Sequence, residues 1–279
     1  MSNVDLSIII INYNTFHLTS NCIQSVYKWT LDVFYEIILV DNNSNECNPD
    51  LFKDKFPIIK LIKNNENVGF AKGNNIGIKH SIGNIILLLN SDTELIDNSI
   101  YKAYQILVTT NYVHVITGKL LFPDGQLQHQ CGRFPSISRQ LVELFRIQKL
   151  MPKDYREQFM LGGFFDHNRP VYPDWIWGTF FMFKREILKT FSFQSLPETF
   201  FMYAEDLEWC FYIKKSGFNI LYTPEVSVIH YFSGSIARND LTELKAKQIT
   251  QNIKRFIIIT KGELYYWFYN QLSNLIRRR

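Results

Sequence analysis

Cysteine is scarce and scattered. Cys22, Cys47, Cys131 and Cys210 are the 4 in 279 residues, and no two form a CxxC pair. Neither a zinc site nor a disulfide framework is suggested, so a reducing cytoplasm is the expected compartment. Long apolar runs are missing too. The run "SIIII" after Asp5 is too short for a secretory signal core. A late apolar window, 256–276, is interrupted by Lys261, Gly262 and Glu263, which makes it a poor transmembrane span. No internal repeat or low-complexity tract stands out. The stretch after the first apolar run, "INYNTFHLTS", holds no glycine and no Lys or Arg, so it offers no basic loop for a triphosphate.

What is present fits a soluble globular chain of one large domain or two small ones, with 46% hydrophobic and 20% charged residues. The net charge of +4 is unevenly placed. From Asp240 onward eight basic residues face three acidic ones, so that tail carries +5 and the preceding body −1. A nearly neutral body argues against nucleic acid as partner, and a basic tail points to an anionic surface.

Short apolar runs without alternation read as buried strands: residues 6–11, 35–40, 58–62 and 85–89. A helical pattern over 17–29 separates the first two, and "NENVGFAKGNNIGIKHSIGN" reads as a loop entering a helix before the fourth. Strands alternating with helices and buried on both faces make a mostly parallel α/β sheet, whose ligands bind beyond the carboxyl ends of the strands. Asn12, Asp41 and Asp92 each follow an apolar run, which delivers polar groups to one edge. Further on, 117–128 reads as a hairpin turning at Pro123, Asp124 and Gly125. Residues 133–172 read as helical pieces joined by loops, and 175–183 as one strand followed by a short helix. A helix over 204–217 stops at Gly217, and two strands follow near 219–222 and 226–230.

The segments "SIIIINYNT", "VDNNS", "NVGFAKGNN", "LLLNSDTEL", "WGTFFMFKRE", "FFMYAEDLEWC" and "VIHYFSGS" stand in the order seen in inverting family 2 glycosyltransferases. Over about residues 5–238 the chain resembles that family, with its rhamnosyltransferase-like branch the nearest likeness. The resemblance implies a GT-A fold, a Rossmann-like mixed and mostly parallel sheet flanked by helices. It also implies transfer of a sugar from a nucleoside-diphosphate donor, assisted by Mg²⁺ or Mn²⁺. It aligns "NSD" with the family's DxD-type metal motif, which puts Asp92 on the metal, Asn90 at the first acidic position and Ser91 between them. His230 aligns with a histidine that can complete the coordination. Asp41, Asn12 and Asn14 align with positions around the donor nucleotide, and Asn67, Gly69, Lys72 and Asn74 with a segment lining the donor pocket. Glu205 and Asp206 match the family's "ED" pair, whose aspartate is the usual general base. Trp177 and Gly178 align beneath the sugar or acceptor. Each residue also has an ordinary reading: a turn for Asn90–Asp92, a cap for Asp41, a first-turn charge on the helix dipole for Asp206, core packing for Trp177.

The expected organisation is a catalytic domain over 1–238 and a helical, basic, amphipathic extension over 239–279. On the extension Tyr265, Phe268, Tyr269, Leu272, Leu275 and Ile276 mark one helical face ahead of Arg277–Arg279. That face suits a membrane interface, or packing on the domain or a dimer partner. The resulting expectation is a rhamnosyltransferase, using dTDP-rhamnose, that extends a lipid-linked bacterial surface glycan on the inner face of the cytoplasmic membrane. Another nucleotide sugar, a sugar nucleotidyltransferase and a non-catalytic nucleotide-sugar-binding module remain the alternatives, and homo-oligomerisation is open.

Overall fold

The computed structural model describes residues 4–232 and 242–277. The expected boundary at 238/239, the end of "VIHYFSGS", and Arg278 and Arg279 lie outside them. In chain order the strands are β1 (Leu6–Asn12), β2 (Tyr35–Asp41), β3 (Lys60–Lys63), β4 (Ile85–Asn90), β5 (Thr93–Leu95), β6 (Val115–Leu121), β7 (Leu127–Gln128), β8 (Cys131–Gly132), β9 (Trp175–Ile176), β10 (Phe180–Lys184) and β11 (Ile220–His230). The helices are α1 (Phe16–Trp29), α2 (Leu51–Lys55), α3 (Gly69–Lys79), α4 (Ser99–Thr109), α5 (Ile137–Leu144), α6 (Lys153–Met160), α7 (Glu205–Lys215), α8 (Thr242–Lys261) and α9 (Glu263–Arg277).

Nine strands form one sheet in the order β3-β2-β1-β4-β10-β6-β11-β5, with β7 paired to β6. The first four run parallel, so Asn12, Asp41 and Asn90 finish at one edge: Asn12 pairs with Asp41, and Ile11 with Asn90. Strand β10 runs antiparallel to β4, with Phe180 opposite Leu89. Its start, with Gly178 and Thr179 just ahead, therefore meets the end of β4. Strand β11 runs antiparallel to β5 and sets His230 opposite Thr93. The apolar, non-alternating runs have the physical meaning expected of them, since Ile8, Ile9, Ile10 and Leu87, Leu88 are buried against helices on both faces.

Two expectations need correction. Residues 175–183 are not one strand: β9 pairs with β8 in a separate two-stranded sheet, and β10 joins the main sheet. The chain changes sheets across Trp177–Thr179, which frees the Gly178 N–H from any ladder. Conversely, 219–222 and 226–230 are a single strand, β11, whose register against β6 shifts between Tyr222 and Ser227, around Pro224.

The tail divides its face in two. Tyr265, Tyr269, Leu272 and Ile276 are half-buried, and α9 packs against α5: Ile137 N donates to Tyr265 Oη at 3.0 Å, and Gln140 bonds Ser273. Phe268 and Leu275 point outward, together with Leu264 and Trp267. No helix among the described residues is long and apolar enough to cross a membrane.

Candidate active site

At the ends of β1 and β2 the side chains lock one another. Asn12 Nδ2 donates to Asp41 Oδ1 at 2.7 Å and to Ser44 Oγ at 2.9 Å, while Asn12 Oδ1 accepts from Thr15 and Thr19. All four hydrogen-bonding positions of that amide are used, so Asn12 shapes the edge from beneath. Asp41 accepts also from Ser44 N at 3.0 Å, and each of its oxygens keeps a lone pair for a further donor. Asn14, in the left-handed region at φ 53°, accepts from Asn45 N and fixes the same loop. Thr15 Oγ1 lies 3.2 Å from Ser91 Oγ, which ties this loop to the Asn90–Asp92 turn.

On the next loop Asn67 accepts from Gly69 N at 3.0 Å and so caps the entry to α3. Gly69 has φ +82°, and a Cβ there would sit 2.6 Å from the Phe201 carbonyl oxygen. Glycine is required at that position. Asn74 is buried and bonds back to the Phe70 carbonyl within α3, whereas Lys72 is exposed at the edge.

Asp92 and His230 meet: His230 Nε2 lies 3.3 Å from Asp92 Oδ1. Gln128 orients the ring. Its amide nitrogen donates to the His230 carbonyl at 2.7 Å, so its amide oxygen must face Nδ1, also at 2.7 Å. Nδ1 therefore carries a hydrogen, and Nε2 is the ring nitrogen that faces Asp92. A carboxylate oxygen and an imidazole nitrogen are donors that Mn²⁺ and similar cations accept. Among the described residues no three His, Cys, Asp or Glu side chains converge as a closed metal cage.

An aromatic bridge leads from this pair to the other acidic residues. Phe232 packs edge-on to His230 at 5.7 Å and stacks on Trp177 at 5.9 Å. Lys245, from α8, places its ammonium 4.6 Å from the Phe232 ring centroid and 5.3 Å from that of Tyr203. Next to Trp177, Gly178 N donates to Asp206 Oδ2 at 3.1 Å, and Leu207 N donates to Asp206 Oδ1 at 2.8 Å. Asn90 completes the circuit by donating its backbone N–H to the Thr179 carbonyl at 3.0 Å.

Burial raises the Asp206 carboxyl to about 6, and the N–H bonds from Gly178 and Leu207 limit the rise. Glu205 lies well above the usual carboxylate range, because it is buried and faces the charges of Asp206 and Glu208. One of its oxygens, Oε2, has no hydrogen-bond partner among the described residues. Burial thus favours the neutral form of Glu205, while Asp206 ionises at about 6. Immediately before them Tyr203 and Ala204 both adopt positive φ, 67° and 78°. Non-glycine residues in that region cost on the order of 1–3 kcal/mol each and persist only when neighbours hold them.

The sequence profile of Glycosyl transferase family 2 matches residues 7–192. The chain belongs to that family. Among relatives of this family 2 glycosyltransferase, the "Low-salt glycan biosynthesis hexosyltransferase Agl10" of Haloferax volcanii is 30% identical over 81% of the chain and 67% of its own length. The "N-acetylglucosaminyl-diphospho-decaprenol L-rhamnosyltransferase" of Mycobacterium tuberculosis is 20% identical over 75% of the chain and 71% of its own. Among solved structures, GalNAc-T7 with UDP, GalNAc and Mn²⁺ superposes with a TM-score of 0.64 at 16% identity, over 92% of this chain. The chain spans about half of that protein, 48%. The mannosyltransferase PcManGT from Pyrobaculum calidifontis, in complex with GDP-Man and Mn²⁺, gives 0.59 at 15% identity, over 98% of this chain and 74% of its own. The family 2 enzyme has the GT-A fold.

Several site residues escaped the sequence reading. Gln128, Thr179, Phe232 and Lys245 sit on ordinary hairpin, strand-end and helix positions, and only the folded chain brings them together.

Proposed function

We propose that this family 2 glycosyltransferase is an inverting, metal-dependent enzyme that transfers rhamnose from dTDP-rhamnose to a lipid-linked surface glycan. The observation that carries the reading is the single edge that gathers Asp206, poised to ionise near pH 6, with the Asp92–His230 pair across one aromatic bridge. Asp206 takes the proton of the acceptor hydroxyl as its oxygen attacks the anomeric carbon. The bond from that carbon to the diphosphate breaks with both electrons, and inversion follows from attack on the opposite face. Burial of Glu205 favours its neutral form, which lessens the charge beside the donor.

Asp92 and His230 would hold a Mg²⁺ or Mn²⁺, which when bound offsets charge on the departing diphosphate. Lys72 supplies a further cation at the donor side. The remaining lone pairs of Asp41 suit N–H or O–H donors of the nucleoside, and Asn14 holds the loop that faces it. Trp177, stacked on Phe232, lines the floor between donor and acceptor. The rhamnosyltransferase name of the mycobacterial relative supports the sugar, and its diphospho-decaprenol acceptor supports a lipid-linked glycan.

The outer stripe of α9 supports a membrane-facing acceptor. Leu264 is 72% exposed, with Trp267, Phe268 and Leu275 beside it and Lys261 and Arg277 at the ends. An apolar stripe flanked by cations suits an anionic bilayer surface. The decisive test is thermal stabilisation with Mn²⁺ by dTDP-rhamnose, UDP-N-acetylglucosamine and GDP-mannose. The expected result is a rise with dTDP-rhamnose that chelation reverses. A larger rise with another sugar would reassign the donor, and no metal dependence would remove the role of Asp92 and His230.

A further inference from the structure

The helix α8 does more than cover the sheet. Its Asn252 Nδ2 donates to two consecutive carbonyls, Met202 at 2.9 Å and Tyr203 at 2.7 Å. Those carbonyls belong to the turn in which Tyr203 and Ala204 both stand at positive φ, one residue ahead of Glu205 and Asp206. The Ala204 carbonyl accepts from Glu208 N at 3.0 Å, so the turn is continuous with the first turn of α7. Just beyond Asn252, Phe256 and Ile257 are buried among Phe200 and Leu207, which flank the same turn. The Arg255 guanidinium lies 5.6 Å from the centre of the Phe200 ring.

We infer that Asn252 is a positioning residue for the catalytic carboxylate: its amide holds the left-handed turn that aims Asp206 at Gly178 and at the acceptor. The turn has no glycine to relax it, and an amide is the smallest side chain whose nitrogen can hold two neighbouring carbonyls at once. Release of those carbonyls lets Tyr203 and Ala204 move to ordinary backbone conformations, which rotates the start of α7 and withdraws Asp206 from the Gly178 N–H. The catalytic centre is therefore incomplete without α8, although every reacting carboxylate lies ahead of it in the chain.

The inference rests on Asp206 being the base, and its test separates the two. Asn252→Leu and Asn252→Asp keep the side-chain shape and remove the donor; Asn252→Gln restores an amide. Release of dTDP from dTDP-rhamnose with Mn²⁺, water serving as acceptor, is followed against pH, and melting temperature is recorded for each variant. For Leu and Asp, kcat should fall about tenfold to a hundredfold, with donor KM within about twofold. The Gln variant should recover part of the loss. The acid limb should move to higher pH in the Leu variant, because Asp206 loses the Gly178 N–H that limits its rise, and Leu adds no charge of its own. Around it stand Glu205 and Glu208 on α7, Tyr203 ahead of them, Cys210 behind, and Arg255 from α8, none of which these substitutions alter. An unshifted acid limb in a Leu variant that is merely less stable would overturn the positioning role. So would unchanged kcat. If the wild-type chain releases no dTDP, the functional reading has failed, and the inference is then decided by amide hydrogen exchange. Exchange over 200–208 should rise in Asn252→Leu while that of β1 and β4 stays fixed, and equal exchange would overturn it.

Discussion

At the scale of single residues, the two neighbouring carboxylates make opposite demands on pH. In the proposed mechanism Asp206 accepts a proton and must be ionised, so transfer should fall as pH drops through about 6, measured as kcat with saturating donor. Asp206→Asn should lower kcat on the order of a hundredfold to ten-thousandfold and leave donor binding by calorimetry nearly intact. Glu205 works the other way. Its folded-state pKa is raised, so it contributes stability that is full below the ordinary carboxylate range and lost as pH rises through its raised value. Glu205→Gln should therefore gain melting temperature relative to wild type as pH rises above the ordinary carboxylate range, with the acid limb of activity unmoved. Asp92 and His230 stand out in the sequence because they follow or end apolar runs, and Asp206 because its Glu–Asp pair resembles the family's. Gln128 and Asn252 do not: their partners lie 102 and 49–50 residues away, and nothing local in either segment hints at them.

At the scale of elements, α8 buries Phe256 and Ile257 against the body of the chain. Phe256 is 1% exposed and its ring meets those of Phe134 and Phe211 at 6.0 and 5.7 Å. Phe256→Ala should cost about 3–5 kcal/mol in urea unfolding, within one transition shared with the sheet. An independent extension would instead unfold separately and leave the main midpoint unchanged. Gly69→Ala, which forces a side chain into the Phe201 carbonyl at positive φ, should also lower that midpoint, because it parts the start of α3 from the turn before α7. The parallel strands were readable from their unbroken aliphatic runs. The break at Trp177–Thr179 was not, since "WIWGTFFMF" is apolar throughout and hydrophobicity alone cannot say which sheet a residue joins. At the break, Gly178 lies outside both ladders and its N–H donates to Asp206.

At the scale of the whole molecule, the active edge and the outer stripe of α9 are joined through α5, α8 and the turn before α7. If the stripe meets lipid, Trp267→Ser with Phe268→Ser should reduce flotation with anionic vesicles while kcat on a soluble acceptor persists. Removal of all residues after Asp240 is a poorer experiment, because it takes Asn252 with it. Six of the tail's apolar positions could be read as one helical face, yet the fold uses Tyr265 and Tyr269 against α5 and leaves Phe268 and Leu275 outside. Periodicity marks which residues are apolar, and the neighbour decides which are covered. The two borders of the great sheet have a last consequence. One, β3, shows solvent Lys60 and Lys63; the other, β5, is three residues long and begins just after Asp92. Lysine bristles on one flank and brevity on the other give a second molecule little template for strand addition, so crowding should not zip these chains into fibrils.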